Sequence, residues 1–164
     1  MSTPVPIIRA PGAGEKRSFL GGGLHIWKLM AEDTNGELFL FEDALAKGKC
    51  TPLHRHPEAD ELTYLIEGEL IVKVDGKESH LTAGSVSYVP KGVEHAFVVV
   101  SEHARILTLQ NPAVGQDFYR GASDPATDDV VDRLDLERLQ ASAQANPSGV
   151  EMLGPPPFDL TAVG

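Results

Sequence analysis

Histidine and acidic side chains with the spacing of metal ligands occur near residue 55. His54 and His56 are two residues apart, and in an extended strand such side chains project from the same face. Glu61 follows after a short break that carries Pro57, a residue that favours a loop or a strand edge. Because two imidazoles and a carboxylate make only part of a metal shell, we expect another donor later in the chain. His95 is the candidate for that donor.

The donor types in this set are those that transition metals bind. Three imidazole nitrogens and one carboxylate oxygen suit iron, manganese, nickel, cobalt, copper or zinc, so we expect one divalent transition metal as cofactor. Four protein ligands leave one or two positions open on a five- or six-coordinate ion, where substrate, water or dioxygen could bind. In the alternative interpretation the histidines are ordinary core or surface residues, as a lone H-x-H would indicate. Their shared register with a carboxylate, glycines and a proline favours the metal site.

Short strands separated by turn residues surround these side chains. Residues 24–30 and 37–45 are the first two strand candidates, on either side of an Asn-Gly turn. Residues 69–75 alternate apolar and polar side chains, and Asp75-Gly76 predicts a type I′ hairpin turn. Further strand candidates are residues 77–81, 86–89, 95–100 and 105–110. This succession predicts an all-β fold, an antiparallel sandwich or barrel.

Composition divides the chain into three parts. Residues 1–23 are rich in proline and glycine and predict an N-terminal arm with little structure of its own. Residues 24–112 hold the strand candidates and predict the β-barrel. For residues 113–164 we expect a short C-terminal helical extension followed by a proline-rich extended tail. The helix in this extension should begin after Asp135 as its N-cap and end at Asn146.

Composition and charge disfavour several classes of protein. The 164 residues include 14 lysines and arginines against 24 acids, a formal net charge of −10. An acidic surface repels phosphate, which argues against nucleic acid and anionic membranes as partners. The single cysteine, Cys50, allows no intrachain disulfide, and no apolar run approaches the roughly 20 residues of a membrane span. We therefore expect a cytoplasmic protein, and the apolar run 38–41 together with the proline-rich arms predicts a homodimer.

Two segments resemble the two characteristic motifs of the cupin superfamily. Residues 48–68 fit G-x5-H-x-H-x4-E-x6-G, and residues 84–95 fit G-x5-P-x-G-x2-H. In that family the motifs are strand–turn–strand units of a small antiparallel jelly-roll barrel. Val99 stands where the family usually has an asparagine, at a position that binds no metal. The resemblance implies that one divalent metal is bound inside the barrel by four residues: His54, His56, Glu61 and His95.

The strands that carry these ligands also predict the wall of a substrate pocket. Counting in twos from Glu61 and His95 gives four inward-facing side chains: Thr63, Leu65, Phe97 and Val99. A metal at the floor of an apolar cavity suits a flat organic substrate that chelates through oxygen. Alternatively these side chains fill the barrel, and only an unfilled cavity distinguishes the two interpretations.

The single-domain arrangement with H-x-H-x4-E is most similar to the quercetin 2,3-dioxygenase-like cupins. This resemblance implies a metal-dependent dioxygenase that acts on a small aromatic or enol substrate with dioxygen. Glu61 would serve as metal ligand and as the general base that deprotonates the enol. Two other functions stay open, a non-catalytic cupin that binds a small molecule and a metal-assisted isomerase, because the same four ligands occur in all three.

Other histidines and acids are given no role in this interpretation. His25, His80 and His103 have no matching partners in the sequence. Glu58 and Asp60 lie close enough in the sequence to compete with Glu61 as metal ligands, but the motif spacing favours Glu61. We expect both to lie in a solvated loop.

Overall fold

The computed structural model describes residues 3–19, 23–126 and 135–162, which form twelve β-strands, two α-helices and two 3-10 turns. Residues 1–2 and 20–22 of the predicted arm, and 127–134 and 163–164 of the predicted extension, lie outside the described residues. The strands are β1 (Glu15–Phe19), β2 (Leu24–Leu29), β3 (Phe39–Ala46), β4 (Leu53–Arg55), β5 (Asp60–Glu67), β6 (Glu69–Val74), β7 (Lys77–Thr82), β8 (Val86–Val89), β9 (His95–Val99), β10 (His103–Asn111), β11 (Ser123–Pro125) and β12 (Glu151–Gly154). The helices are α1 (Gln116–Gly121) and α2 (Leu136–Ala145), and the 3-10 turns are Ala31–Asp33 and Leu160–Ala162.

The strands form two antiparallel sheets. The seven-stranded sheet has the order β11-β1-β2-β3-β10-β5-β8, and the five-stranded sheet has the order β12-β4-β9-β6-β7. From β4 to β10 the chain passes repeatedly between the sheets, as in a jelly roll. Among the described residues, no strand pairing joins the two sheets into a closed barrel, but their side chains share one interior. The prediction of an all-β jelly roll with a short C-terminal helical segment is confirmed.

Two hydrophobic clusters fill this interior. One cluster combines side chains of both sheets: Leu45, Leu65, Leu70, Val99, Ala104 and Ile106. The other joins the seven-stranded sheet to the C-terminal segment and includes Trp27, Phe39, Phe41, Phe118, Leu139 and Val150. Strand β3 belongs to both clusters because its alternate residues face inward. The aromatic residues of the run 38–41 are therefore buried within the chain itself.

The predicted hairpin turn at Asp75-Gly76 joins β6 to β7. Both residues have positive φ, 49° and 74°, as a type I′ turn requires. Val74 and Lys77 pair directly across the turn. Glycine accepts this conformation without steric cost, which explains its position in the sequence.

The N-terminal segment carries more structure than the sequence suggests. Strand β1 pairs with β2 on one side and with β11 on the other. The buried guanidinium of Arg17 donates hydrogen bonds to the hydroxyl of Ser123 at 2.6 Å and to its carbonyl at 2.8 Å. These contacts hold β1 in the sheet, because a buried guanidinium needs partners for its N–H groups.

The C-terminal segment attaches to the strands that carry the histidines. Helix α2 begins after Asp135, whose carboxylate accepts a hydrogen bond from the Arg138 N–H at 3.0 Å, as the N-cap prediction requires. Strand β12 pairs with β4, so the tail forms the edge of the five-stranded sheet. No helix within the described ranges is long and apolar enough to cross a membrane.

Candidate metal centre

Strand register brings the four predicted ligands together from both sheets. In the five-stranded sheet, His54 of β4 lies directly opposite His95 of β9, and His56 follows β4 by one residue. In the seven-stranded sheet, Glu61 of β5 lies opposite Gln110 of β10. Because the inner faces of the sheets share one interior, these side chains converge there.

The imidazoles of His54, His56 and His95 form a compact cluster. Their ring centroids are 4.3 Å apart for His54 and His95, and 5.2 Å apart for His56 and either of the others. One ligand atom from each ring lies within 4.8 Å of the others. The carboxylate of Glu61 joins the cluster, with Oε2 at 2.9 Å from His56 Nε2 and Oε1 at 3.3 Å from His95 Nε2.

Backbone carbonyls fix the orientation of all three rings. The Nδ1 atoms of the histidines, in chain order, lie 2.8, 2.8 and 3.1 Å from the carbonyl oxygens of Pro52, Gly149 and Val93. Because a carbonyl oxygen can only accept, each Nδ1 must carry the hydrogen, and each Nε2 is left to face the site. Metal-binding histidines commonly donate their second ring N–H in this way, which fixes the tautomer and the ring orientation.

The site holds more acceptors than donors, and a cation would balance them. When Nδ1 of His56 carries the hydrogen, its Nε2 is an acceptor, and this atom lies 2.9 Å from an oxygen of Glu61, which is also an acceptor. Two acceptors lie this close only when a proton or a metal ion is between them. The buried Nε2 of His95 has no hydrogen-bond partner among the described residues. The residues therefore fit a transition metal, and the three histidines could bind one.

Burial and neighbouring charge shift the pKa values within the cluster. Burial, together with the charges of His95 and His56, lowers the pKa of His54 well below its ordinary value. Burial alone would raise the pKa of Glu61, but the charge and hydrogen bond of His56, followed by the nearby charge of His95, hold it well below the ordinary value. For His56, burial lowers the pKa but the charge and hydrogen bond of Glu61 outweigh it, so the pKa is raised. A bound cation would take the place of the proton that His56 and Glu61 share.

Gln110 connects this cluster to a tyrosine on α1. Its fully buried Nε2 donates to Glu61 Oε2 at 2.9 Å and to the hydroxyl of Tyr119 at 3.3 Å. Gly115 packs directly on this amide, since a Cβ at that position would overlap the Oε1 of Gln110. Gln110 therefore orients the carboxylate, and the lack of a side chain at Gly115 makes room for the amide.

A cavity opens beside the cluster and is lined largely by apolar and aromatic side chains, including Phe19, Phe41, Phe97, Phe118, Tyr119 and Leu139. His54, Glu61 and His95 reach its wall, and so do two of the predicted pocket residues, Thr63 and Phe97. The other two, Leu65 and Val99, are fully buried in the hydrophobic cluster that both sheets share. Strands β5 and β9 continue past the cavity into the packed part of the interior. The inward face of each strand therefore lines the cavity at one position and packs in the hydrophobic cluster two residues later.

The remaining candidates have other partners. Glu58 accepts a hydrogen bond from a serine hydroxyl of the C-terminal segment, and Asp60 accepts one from a backbone N–H. His80 is exposed and pairs with Glu69 at 2.8 Å, and His103 is exposed. His25, for which the sequence offered no partner, is buried.

The sequence did not identify Gln110, Tyr119 or the backbone carbonyls that orient the rings, among them that of Gly149. A weak signal for Gln110 existed. In β10 the alternate residues Ile106, Thr108 and Gln110 are buried, so period-two counting would have placed a polar amide on an inward face. For Tyr119 and Gly149, no pattern in the sequence indicates which strand the segment after the barrel covers.

Comparison with known proteins agrees with this architecture. Residues 41–109 match the sequence profile described as the cupin domain. Quercetin 2,3-dioxygenase of Bacillus subtilis is 26% identical over 121 residues, which cover 74% of this chain and 36% of that protein. The tetracenomycin polyketide synthase protein TcmJ of Streptomyces glaucescens is 40% identical over 57 residues, which cover 35% of this chain and 38% of that protein. The chain thus spans little more than a third of the length of either curated relative.

A solved structure shows the same fold. The RmlC-like cupin from Shewanella frigidimarina is 27% identical, with a TM-score of 0.59 over 66% of this chain and 93% of that one. The two motifs, the paired sheets and the cluster of histidines between them all agree with these matches. Residues 41–109 of the chain form a cupin domain.

Proposed function

We propose that the protein is a metal-dependent dioxygenase of the quercetinase-like type, acting on a small aromatic or enol substrate. The observation that carries the proposal is the cluster of three histidines and Glu61 at the wall of an open, aromatic-lined cavity. The similarity to the Bacillus subtilis quercetin 2,3-dioxygenase supports the same reaction class.

In this proposal His54, His56 and His95 hold the metal, with Glu61 as the fourth ligand. A bound transition metal would supply a Lewis acid for the enol oxygen and, if redox-active, the electrons that dioxygen activation needs. The backbone carbonyls that fix the three imidazoles keep the nitrogens directed at one point, which makes the ligand set rigid before metal arrives.

Glu61 has a second role in the proposal, as the acceptor of the enol proton. Gln110 donates to Oε2, which leaves Oε1 as the oxygen that is free of the amide. In the proposal, the aromatic rings that line the cavity orient the planar ring of the substrate beside the metal cluster. Tyr119, hydrogen-bonded to Gln110, contributes its ring to the same wall.

The test is oxygen uptake by the iron, manganese, nickel and cobalt forms with a panel of flavonols and catechols. We expect uptake with at least one metal, lost in Glu61→Ala and retained in His80→Ala, which removes an exposed histidine outside the cluster. Tight binding of the same compounds without oxygen uptake under any metal would contradict the dioxygenase and indicate a non-catalytic binding protein. Conversion of a compound to an isomer without uptake would indicate the isomerase.

A homodimer in the cytoplasm is part of the proposal. Support for self-association comes from an exposed apolar patch on the edge strand β8 and its neighbour β5, formed by Val86, Tyr88, Leu62 and Tyr64. Light scattering on the full chain tests it, and a monomeric mass at micromolar concentration would reject it.

A further inference from the structure

A second buried pair of histidine and carboxylate lies on strands β2 and β3. His25 and Asp43 are direct cross-strand partners, and His25 Nε2 lies 3.0 Å from Asp43 Oδ1. Each residue is only 4% exposed. The imidazole is stacked between two phenyl rings, Phe19 at 4.7 Å and Phe41 at 5.0 Å between centroids. Aromatic rings on both faces leave only the edge of the imidazole for polar contacts.

This pair has unused hydrogen-bonding capacity. Asp43 Oδ1 and His25 Nδ1 have no hydrogen bond among the described residues, although Oδ1 lies 3.0 Å from His25 Nε2. Buried polar atoms in folded proteins are nearly always paired, because an unpaired one has lost its hydrogen bonds to water without replacing them. Both residues line the cavity that reaches the metal cluster. The pair therefore has the character of a binding site rather than of a structural ion pair.

Lys49 brings a positive charge to the same part of the cavity. Its Nζ lies 5.2 Å from the centroid of Phe19, the ring that stacks on His25. Burial lowers the pKa of Lys49 to about 8, while the nearby charge of Asp43 raises it, so the two side chains interact electrostatically. Lys49 lines the cavity together with His25 and Asp43. The three residues, which we call the second polar cluster, thus offer acceptors and an ammonium donor together.

These groups discriminate between classes of ligand. A carboxylate ligand would be attracted by Lys49 but repelled by Asp43, and an ammonium ligand would face the reverse situation. A hydroxyl group meets both demands, because it donates one hydrogen bond and accepts another. We propose that the second polar cluster binds a hydroxyl group of the ligand, which donates to Asp43 Oδ1 and accepts from the Lys49 ammonium.

The proposal extends the proposed function by defining its substrate. Tyr119 lines the cavity between the two clusters, because its hydroxyl accepts from Gln110 beside Glu61 and its ring lies 5.7 Å from that of His25. The substrate would then be an oxygenated aromatic with two polar ends, one at the metal and one hydroxyl at the second polar cluster. This description of the substrate rests on the proposed dioxygenase, whereas hydroxyl binding by the cluster does not.

The experiment compares three probes that differ in one group: 4-methylphenol, toluene and 4-methylbenzoate. Each is titrated into the full chain in the presence of EDTA, with affinity and position read from NMR shifts of the His25 and Lys49 side chains. We expect 4-methylphenol to bind about tenfold or more tightly than either other probe. A purely apolar pocket would give the opposite order for the first two, because toluene loses no hydration of a hydroxyl on binding.

Variants locate the effect. Asp43→Asn and Lys49→Met should each reduce the preference for 4-methylphenol over toluene to about threefold or less. Glu69→Gln and Lys73→Met are the matched controls, because they alter an exposed carboxylate beside a histidine and a lysine outside the cavity, and they should keep the full preference.

The outcomes that would overturn the proposal need no variant. Equal or tighter binding of toluene by the wild-type chain would show that only water occupies the polar cluster, and tighter binding of 4-methylbenzoate would show an anion site. The metal-free titration also separates the two proposals. A preference for 4-methylphenol without any oxygen uptake by the metal-loaded protein would retain the hydroxyl site and reject the dioxygenase.

Discussion

Both buried polar clusters of this protein place histidine beside a carboxylate, but the hydrogen bonds of these groups are satisfied differently in each. Around Glu61, every imidazole donates to a backbone carbonyl, and Gln110 donates to the carboxylate. Around Asp43, aromatic rings surround the imidazole, and polar atoms of both side chains lack partners among the described residues. A rigid set of lone pairs directed at one point suits a metal ion. A pair with unused acceptors in an apolar wall suits a small polar group of a ligand.

The largest expected effect separates the two clusters by their metal affinity. His95→Ala removes one of three imidazoles, so zinc affinity by isothermal titration calorimetry should fall more than about 100-fold, beyond the 10–100-fold typical of outer partners. His25→Ala should leave zinc affinity within about threefold, because His25 belongs to the other cluster. A similar loss in both variants would contradict the distinction.

The next effect concerns the support of the carboxylate. Gly115→Ala places a methyl group where the Gln110 amide lies and so displaces the donor to Glu61. We expect zinc affinity to fall about 10–100-fold while circular dichroism stays unchanged. Gly154→Ala is the matched control, since nothing lies within 4 Å of a Cβ at that position. Unchanged zinc affinity in Gly115→Ala would show that Gln110 does not position Glu61.

A smaller effect measures the cost of the charge in the second polar cluster. Burial lowers the folded pKa of Lys49 to about 8, below its value in the unfolded chain, so the unfolded state binds more protons between about pH 8 and 10.5. Lys49→Met should therefore stabilise the protein by an amount on the order of 2 kcal/mol below pH 8, and the gain should shrink as the pH rises toward 10.5.

Urea unfolding of both proteins from pH 6.5 to 10.5 measures this difference in the free energy of unfolding. Lys73→Met controls for the loss of a lysine charge, because Lys73 lies in β6 outside the cavity. A difference between Lys49→Met and wild type that grows with pH would reverse the sign and contradict the burial of the ammonium.

The smallest effect comes from the third histidine–carboxylate pair, which is exposed. His80 and Glu69 lie 2.8 Å apart, but each side chain is about half exposed, 55% and 49%. Glu69→Gln should change the free energy of unfolding by less than about 1 kcal/mol, because solvent screens exposed pairs. Chemical unfolding at low and high salt checks it. A larger decrease in the free energy of unfolding would mean that the distance between histidine and carboxylate, rather than their burial, determines how much such a pair stabilises the fold.

The sequence predicted the metal cluster much better than the second polar cluster, and strand geometry explains why. His54, His56 and Glu61 lie within one short segment around a turn, so their spacing already specifies a shared face. His25 and Asp43 meet only through the register of β2 with β3, which no local spacing reveals. Gln110 likewise reaches Glu61 only through the register of β10 with β5. Residues that meet through register are visible only once the strands are paired.

The same limit applies to the pocket and to the termini. Counting in twos predicted four pocket residues, of which Thr63 and Phe97 line the cavity. The other two, Leu65 and Val99, are packed in the hydrophobic cluster. Alternation identifies the inward face of a strand, but it does not show which part of that face borders a cavity. Strand β1 was not expected, since the burial of Arg17 against Ser123 depends on a segment more than 100 residues away. The Asp135 cap, in contrast, is a local signal and was predicted.

X-ray absorption of the zinc-loaded protein shows whether the three histidines and Glu61 bind one metal ion. We expect one zinc per chain, bound by three imidazole nitrogens at about 2.0–2.1 Å and by at least one carboxylate oxygen. The number of imidazole ligands fitted to the spectrum should fall by one in His95→Ala and stay unchanged in His80→Ala. A wild-type spectrum with fewer than two imidazoles, or with a sulfur ligand from Cys50, would contradict this expectation.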